Sequence, residues 1–344
     1  MKAIIVGKNK ELSCGEIDKP KAGRGELLIK VRAAAMCGTD IRMIGENKVL
    51  KPDGRPLVLS HEISGEICEV GEGIFGYEAG QNVVIAPNFG CGSCDECLSG
   101  RSHMCRDYTA FGVHIDGGFA QYLLIPEKAV LQGCAVPYEA LDPKVACLNE
   151  PLSCAFNGME QCGIKPCDYV LIIGAGPIGM MHAKLALMAG AGKVIMYDLS
   201  RERLEMCREL DERIIITGDV LKEIGTITKG RGADDVIVAC PSPKAQAQAV
   251  ELAAIFGRVL FFGGIPAGSE PVGINTNLVH YKQLTVTGTT RASLAQFKKT
   301  LSMLELGLVD LSAFVTNTYD ISEAEKAYEN AKNGVGLKHV ITFG

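Results

Sequence analysis

Four cysteines form the densest chemical signal in the chain: Cys91, Cys94 and Cys97 at three-residue intervals, then Cys105 after seven more residues. Four thiolates this close can surround one Zn²⁺ tetrahedrally and leave no position for water, which is a structural rather than a reacting site. His103 lies inside the same loop, but a fourth cysteine makes it unnecessary as a ligand. A second set is dispersed. Cys37-Gly38-Thr39-Asp40 follows one apolar run, His61-Glu62 opens another, and Glu150-Pro-Leu-Ser153 comes much later. One thiolate, one imidazole and one carboxylate are the mixed donors of a catalytic zinc, which keeps one position open for water or substrate. Two carboxylates, Glu62 and Glu150, compete for that role, and the sequence leaves the choice open.

The third signal is Val170-Leu-Ile-Ile-Gly174-Ala-Gly176-Pro177-Ile178-Gly179. A glycine turn of this form directly after a strand and opening a helix is the fingerprint of dinucleotide binding. Gly174 allows the tight turn, Gly176 lets a pyrophosphate approach the backbone, and Gly179 lets helix and sheet pack closely. Pro177 suits a first helical turn, where its missing N–H costs nothing. Asp198 follows 19 residues past Gly179. A carboxylate there binds the ribose diol and repels a 2′-phosphate, which favours NAD; Arg201 and Arg203, close behind, soften that repulsion.

These residues need two kinds of scaffold. Residues 1 to about 145 read as short strands and loops: Met1–Val6, Glu26–Ala33, Ile63–Val70, Val83–Ala86 and Phe119–Ile125 are apolar or alternating runs bounded by Gly and Pro. The texture changes after Tyr138. Helical spacing over Asp142–Ala155 leads into alternation. The strands are Tyr169–Ile173, Lys193–Tyr197, Asp235–Ala239, Arg258–Phe262 and Leu284–Thr287. The helices are Ile178–Ala189, Arg201–Glu209 and Lys244–Phe256. Strands alternating with helices mean a parallel sheet covered on both faces. A tail follows with a helix over Ser293–Leu306, a second opened by a Ser322/Glu325 capping box, and a strand Lys338–Phe343. It is too small for a domain and is expected to rejoin the first one. The boundaries are therefore 1–145, 146–288 and 289–344.

Composition narrows the function further. The 344 residues carry 35 basic and 40 acidic side chains, net −5, with no basic block, so no nucleic-acid footprint is present. No stretch approaches the ~18 apolar residues of a membrane span. Residues Ala3 to Val6 are too short an apolar run for a signal peptide. Fourteen cysteines without a secretion signal fit a reducing, cytoplasmic setting with metal-bound and buried thiols.

With the three motifs in this order, the chain resembles the zinc-dependent medium-chain dehydrogenase/reductase family along essentially its whole length. The resemblance implies an α/β protein. A GroES-like β-rich catalytic domain in two segments flanks a Rossmann doubly wound parallel sheet. It implies two zincs per chain and NAD. Cys37, His61 and Glu150 match the catalytic-zinc positions, Glu62 matches a residue that exchanges onto the metal in relatives, and Cys91, Cys94, Cys97 and Cys105 match the structural-zinc lobe. Thr39 matches the hydroxyl that passes on the substrate proton. Gly174, Gly176, Pro177, Ile178, Gly179, Asp198 and Arg203 match the cofactor site. Glu150-Pro-Leu-Ser looks like the polyol (sorbitol-type) branch, and Arg291 falls where polyol dehydrogenases place a substrate-contacting Arg. The family also implies a homo-oligomer, dimer or tetramer.

Three departures stand out. Ser60 replaces the usual Gly before His-Glu, Gln81 replaces the usual Asp after Gly80, and Arg42 stands where many relatives carry a relay His. Arg cannot accept a proton near neutral pH, so Arg42 is a surface residue, a contact for an anionic substrate group, or a neighbour of the proton path. The expected activity is hydride transfer between NAD and a secondary hydroxyl of a polyol or sugar derivative, sugar acids and sugar phosphates included. A threonine-type dehydrogenase uses the same pieces. Outside enzymes, a catalytically inactive NAD-binding redox sensor is the alternative, against which the intact Cys37, His61, Glu150 and Thr39 speak.

Overall fold

The computed structural model describes residues 1–7 and 9–343. The chain divides into two compact units, Met1–Ser153 together with Ala292–Gly344, and Cys154–Arg291. The crossings fall inside the helix Asn149–Cys162, after Ser153, and between Arg291 and Ala292, later in the chain than the expected 145 and 288.

In the first unit the strands are β1 (Lys2–Val6), β2 (Leu12–Glu16), β3 (Leu27–Ala35), β4 (Glu62–Val70), β5 (Asn82–Ile85), β6 (Asn88–Phe89), β7 (Thr109–Ala110), β8 (Tyr122–Ile125) and β9 (Ala135–Pro137). In the second they are β10 (Tyr169–Ile173), β11 (Lys193–Tyr197), β12 (Ile214–Thr217), β13 (Ala233–Val238), β14 (Ala253–Phe261) and β15 (Thr285–Gly288). The tail adds β16 (Val315–Asp320) and β17 (Lys338–Thr342) to the first unit.

The first unit is built on a seven-stranded sheet in the order β16-β17-β3-β4-β5-β9, with β8 also on β3. β3 carries the architecture. Its first half pairs with β8, its last three residues pair with β17, and its whole length pairs with β4. Its neighbours cover both edges, and most of its residues are buried on either face as well, which matches the nearly continuous apolar sequence Leu27-Leu-Ile-Lys-Val-Arg-Ala-Ala-Ala35. Register shifts near Ile29 and Val31–Ala33 bend the pairing with β4. Leu27, Ile29, Ile63, Ile67, Phe111 and Phe119 meet in the core.

The second unit is a six-stranded sheet, β12-β11-β10-β13-β14-β15, parallel throughout. This is the doubly wound order, whose strand order reverses at the first strand and the one beside it. Here those are β10 and β13, so the glycine turn after β10 lies at the switch point.

Three local expectations are corrected. The helical stretch Asp142–Ala155 is two helices, Pro143–Ala146, capped by the Asp142 carboxylate, and Asn149–Cys162. The Ala-rich helix expected to reach Phe256 ends at Leu252. Ala253 already pairs with Ala233 of β13, and Lys282 Nζ donates to the carbonyls of Glu251 and Ala253 at 3.0 and 2.7 Å. Sheet pairing and a lysine on the helix end override alanine's helical preference. In the tail the capping box is Asp320/Glu323 rather than Ser322/Glu325, because Glu325 accepts from the backbone N–H of Leu12 instead. Among the described residues no helix is long and apolar enough to cross a membrane.

Candidate functional site

Two groups of metal-ligating side chains assemble in the first unit. Ligand atoms of Cys91, Cys94, Cys97 and Cys105 lie within 4.8 Å of one another, with Cys91 and Cys97 sulfurs 3.9 Å apart and Cys94 and Cys105 sulfurs 3.7 Å apart. The loop that holds them is pinched where Gly90 passes Cys97: a Cβ at Gly90 would stand 2.4 Å from that sulfur. The N–H and O–H of Ser93, then the N–H and thiol of Cys94, pull the Cys91 thiol down to about 6, whereas burial and the neighbouring thiols push Cys97 up to about 12. Sulfurs this crowded cannot all ionise unless a cation neutralises them. The set fits one tetrahedral Zn²⁺.

The second group is Cys37, His61 and Glu62, again with ligand atoms within 4.8 Å. Cys37 ends the run from β3 and is the N-cap of the helix Gly38–Gly45. Glu62 opens β4, and His61 immediately precedes it. Antiparallel pairing of Ala35 with Glu62 therefore brings the two segments together. Asp40, fully buried, ties them: its carboxylate accepts from the backbone N–H of Cys37 at 2.8 Å and from that of Ser60 at 3.1 Å. His61 is buried, and its Nδ1 has no hydrogen-bond partner among the described residues. Burial alone would lower its pKa, but Cys37, Glu150 and Asp40 outweigh it and raise the value well above the ordinary one. A buried imidazole with an orphaned nitrogen beside a thiol is a site that fits a metal cation.

Glu150 lies in the first turn of Asn149–Cys162, buried, close enough to act electrostatically on His61 but outside the tight trio. Glu62 is inside the trio, yet Lys338 engages both of its carboxylate oxygens, Oε2 at 2.6 Å. Lys338 also reaches the Met36 carbonyl at 3.4 Å. Sequence reasoning missed Lys338 and gave Asp40 no role. Thr39 is half-buried in the helix Gly38–Gly45, and Arg42 stands on its exposed face. Ser60 takes the left-handed conformation, φ +72°, which explains why glycine is usual there. Its hydroxyl donates to the Ala35 carbonyl at 3.2 Å.

In the second unit the turn after β10 has the geometry of a phosphate cradle. Gly174 has φ +111°. A Cβ at Gly179 would meet the Gly174 carbonyl oxygen at 1.8 Å, so helix and turn touch backbone to backbone. Gly176 caps the helix Pro177–Met188, with Pro177 and Ile178 in its first turn. A Cβ at Gly176 would find only the Arg203 guanidinium, at 3.3 Å. An open glycine face at a helix N-terminus with a cation beside it fits a pyrophosphate. The Asp198 carboxylate is held by the N–H groups of Ala175 and Ser200 at 2.7 and 2.8 Å. Arg291, half-buried with φ +58°, accepts the Asn157 side-chain amide on its carbonyl at 2.8 Å.

Residues 23–137 match the alcohol dehydrogenase GroES-like domain, and residues 177–305 match the zinc-binding dehydrogenase domain. The chain belongs to the zinc-dependent medium-chain dehydrogenase/reductase family. It is 35% identical to an L-threonine 3-dehydrogenase of Pyrococcus abyssi over 93% of this chain and 91% of that one. It is 32% identical to the L-galactonate-5-dehydrogenase of Escherichia coli over 100% and 99%. A zinc-binding dehydrogenase from Sinorhizobium meliloti, solved with NADP, superposes with a TM-score of 0.90 at 28% identity over 99% of both chains. The family relation makes this chain an alcohol-type dehydrogenase of the zinc-dependent class that uses a nicotinamide cofactor.

Proposed function

We propose that the chain oxidises, reversibly and with NAD, a secondary hydroxyl on a polyol or sugar derivative, a sugar acid or sugar phosphate included. The observation that carries the chemistry is the trio of half-buried Cys37 with buried His61 and Glu62, and its orphaned imidazole nitrogen. It shares the chain with a glycine turn shaped for a dinucleotide. Zinc held there would supply Lewis acidity toward the substrate hydroxyl, and the dinucleotide would supply the hydride acceptor.

The residues then divide the remaining work. Cys37 and His61 hold the metal. Glu150 is the third donor, because both oxygens of Glu62 are engaged by Lys338. Thr39, two residues after Cys37, hands the substrate proton outward. Cys91, Cys94, Cys97 and Cys105 hold a second, structural zinc, for two per chain. Gly176 admits the pyrophosphate at a turn that Gly174 and Gly179 make possible, and Asp198, fixed by two N–H groups, reads the ribose diol and disfavours a 2′-phosphate. The protein works in the cytoplasm as a homo-oligomer, a tetramer by family analogy.

The threonine-type reading is carried by the Pyrococcus relative. Threonine C3 and galactonate C5 are both secondary alcohols beside a carbon bearing nitrogen or oxygen, so the two readings share a reacting group and differ in what flanks it. Arg42, on an exposed helix face, lends the anionic-substrate variant no support. The deciding experiment is reduction of NAD⁺ with polyols, aldonic acids, sugar phosphates and threonine in one panel. The highest kcat/KM on threonine overturns the polyol reading. No turnover on any substrate, with cofactor still bound, favours the redox-sensor alternative.

A further inference from the structure

The Cys₄ lobe and the Cys37/His61 site are joined by a continuous stretch of backbone. Asn88–Phe89 enters the lobe and Thr109–Ala110 leaves it, and these two segments pair as β6 and β7. The Phe89 and Phe111 rings pack at 5.5 Å, and the Phe111 N–H donates to the Pro87 carbonyl at 3.1 Å. The chain then runs to Gly117-Gly118-Phe119, whose N–H groups donate to the carbonyls of Val58, Ser60 and Leu59 at 2.8, 3.0 and 3.1 Å. Ser60 immediately precedes His61. The approach leaves no room for a side chain: a Cβ at Gly112 or Gly117 would stand 2.2 or 1.9 Å from the Ser60 carbonyl oxygen. Asp116 pins the same stretch by accepting from the Val58 N–H at 3.0 Å and from Lys51 Nζ at 2.6 Å.

We propose that residues 109–118 act as a strut through which the Cys91/Cys94/Cys97/Cys105 lobe positions His61, with Gly117 as a contact point, so that the lobe governs metal affinity at the Cys37/His61 site. The physical reason is local. The lobe closes the loop that would otherwise swing about β6 and β7, and the strut's far end sets the peptide from which the His61 ring departs. Groups that orient a metal's ligands typically change its affinity ~10- to 100-fold. The proposal rests on the two-zinc reading above.

The test uses full-length Cys94→Ser and Gly117→Ala, with Leu304→Ala as a core-weakened control away from the strut. Metal content and cobalt titration separate the sites, since four thiolates and one thiolate give different charge-transfer bands. The expected result is metal binding at the Cys37/His61 site ~10- to 100-fold weaker in both strut variants and unchanged in the control, with Gly117→Ala keeping its lobe metal. Wild type that loads only the lobe defeats the two-zinc reading. Wild type that loads both, with variants matching it at Cys37/His61, overturns the strut. Where a variant fails to fold, Cys37→Ser decides, because only its lobe can be loaded. Stripping that metal should speed hydrogen exchange at the Gly118 and Phe119 amides, and unchanged exchange overturns the proposal.

Discussion

Lys338 at the start of β17 donates to both carboxylate oxygens of Glu62 at the start of β4, with 5% and 0% of the two residues exposed. The pair stands beside the candidate metal site, and Glu62, Cys37 and Glu150 all favour the lysine's charged form against the cost of burial. Removing one partner leaves an uncompensated buried charge, which typically costs about 3–5 kcal/mol. Lys338→Met should therefore lower stability by about that much in urea unfolding. Lys338→Met combined with Glu62→Gln should recover part of the loss, because no charge is then left alone. Equal destabilisation of the single and double variants would mean that packing, not charge, is what Lys338 contributes.

Asp198 tests the cofactor. Asp198→Ala removes a ribose partner and a charge that repels a 2′-phosphate. One lost charge-assisted hydrogen bond is worth about 1.5–3 kcal/mol, so kcat/KM for NAD should fall roughly 10- to 150-fold, with a smaller change for NADP. A wild-type enzyme that prefers NADP, as the solved Sinorhizobium relative with bound NADP makes worth checking, would refute the NAD assignment and point to Arg203 beside Gly176.

His182 predicts acid sensitivity in the second unit. It is wholly buried between Gly158, Leu260 and Phe262, neither ring nitrogen has a partner among the described residues, and burial lowers its pKa from 6.5 to about 3. The unfolded chain therefore takes up the proton first. Stability is intact above pH 6.5 and is lost as pH falls from there toward 3, by about 2 kcal/mol at pH 5. His182→Leu should lose correspondingly less stability than wild type between pH 7 and 5 in urea unfolding. Parallel losses would show that the histidine is not the sensitive group.

Ser60 sets two small effects against each other. A non-glycine residue at φ +72° carries about 1 kcal/mol of backbone strain, and its hydroxyl bond to Ala35 returns about as much. Ser60→Gly should leave stability and zinc content near wild type. Ser60→Val, β-branched at a left-handed position, should lower both. A Ser60→Gly protein without zinc at Cys37/His61 would mean that the hydroxyl bond holds the histidine segment.

Much of the site was legible because its signals are local. Metal ligands at three-residue intervals, and glycines at fixed offsets after an apolar run, are set by the reach of a few bonds. The same holds for five of the six parallel strands, whose apolar runs report burial on both faces; the sixth, the short edge strand β12, went unread. Where local preference met a distant partner, sequence reading failed. Ala253–Phe256 has helical composition, yet it becomes the start of β14 because β13 and Lys282 claim its backbone. Asp320 takes the cap from Ser322 because Glu325 is drawn to Leu12.

The sequence by itself determined the family, the two donor sets and the dinucleotide turn, since each is a pattern of residue types along one segment. Only the tertiary structure decided which carboxylate is already engaged, which loop buttresses His61, and why a serine tolerates a glycine's position. Lys338 and Glu62 are 276 residues apart. Their meeting depends on β17 and β4 taking opposite sides of the last residues of β3. That pairing comes from long-range strand register and core packing, which no local spacing encodes.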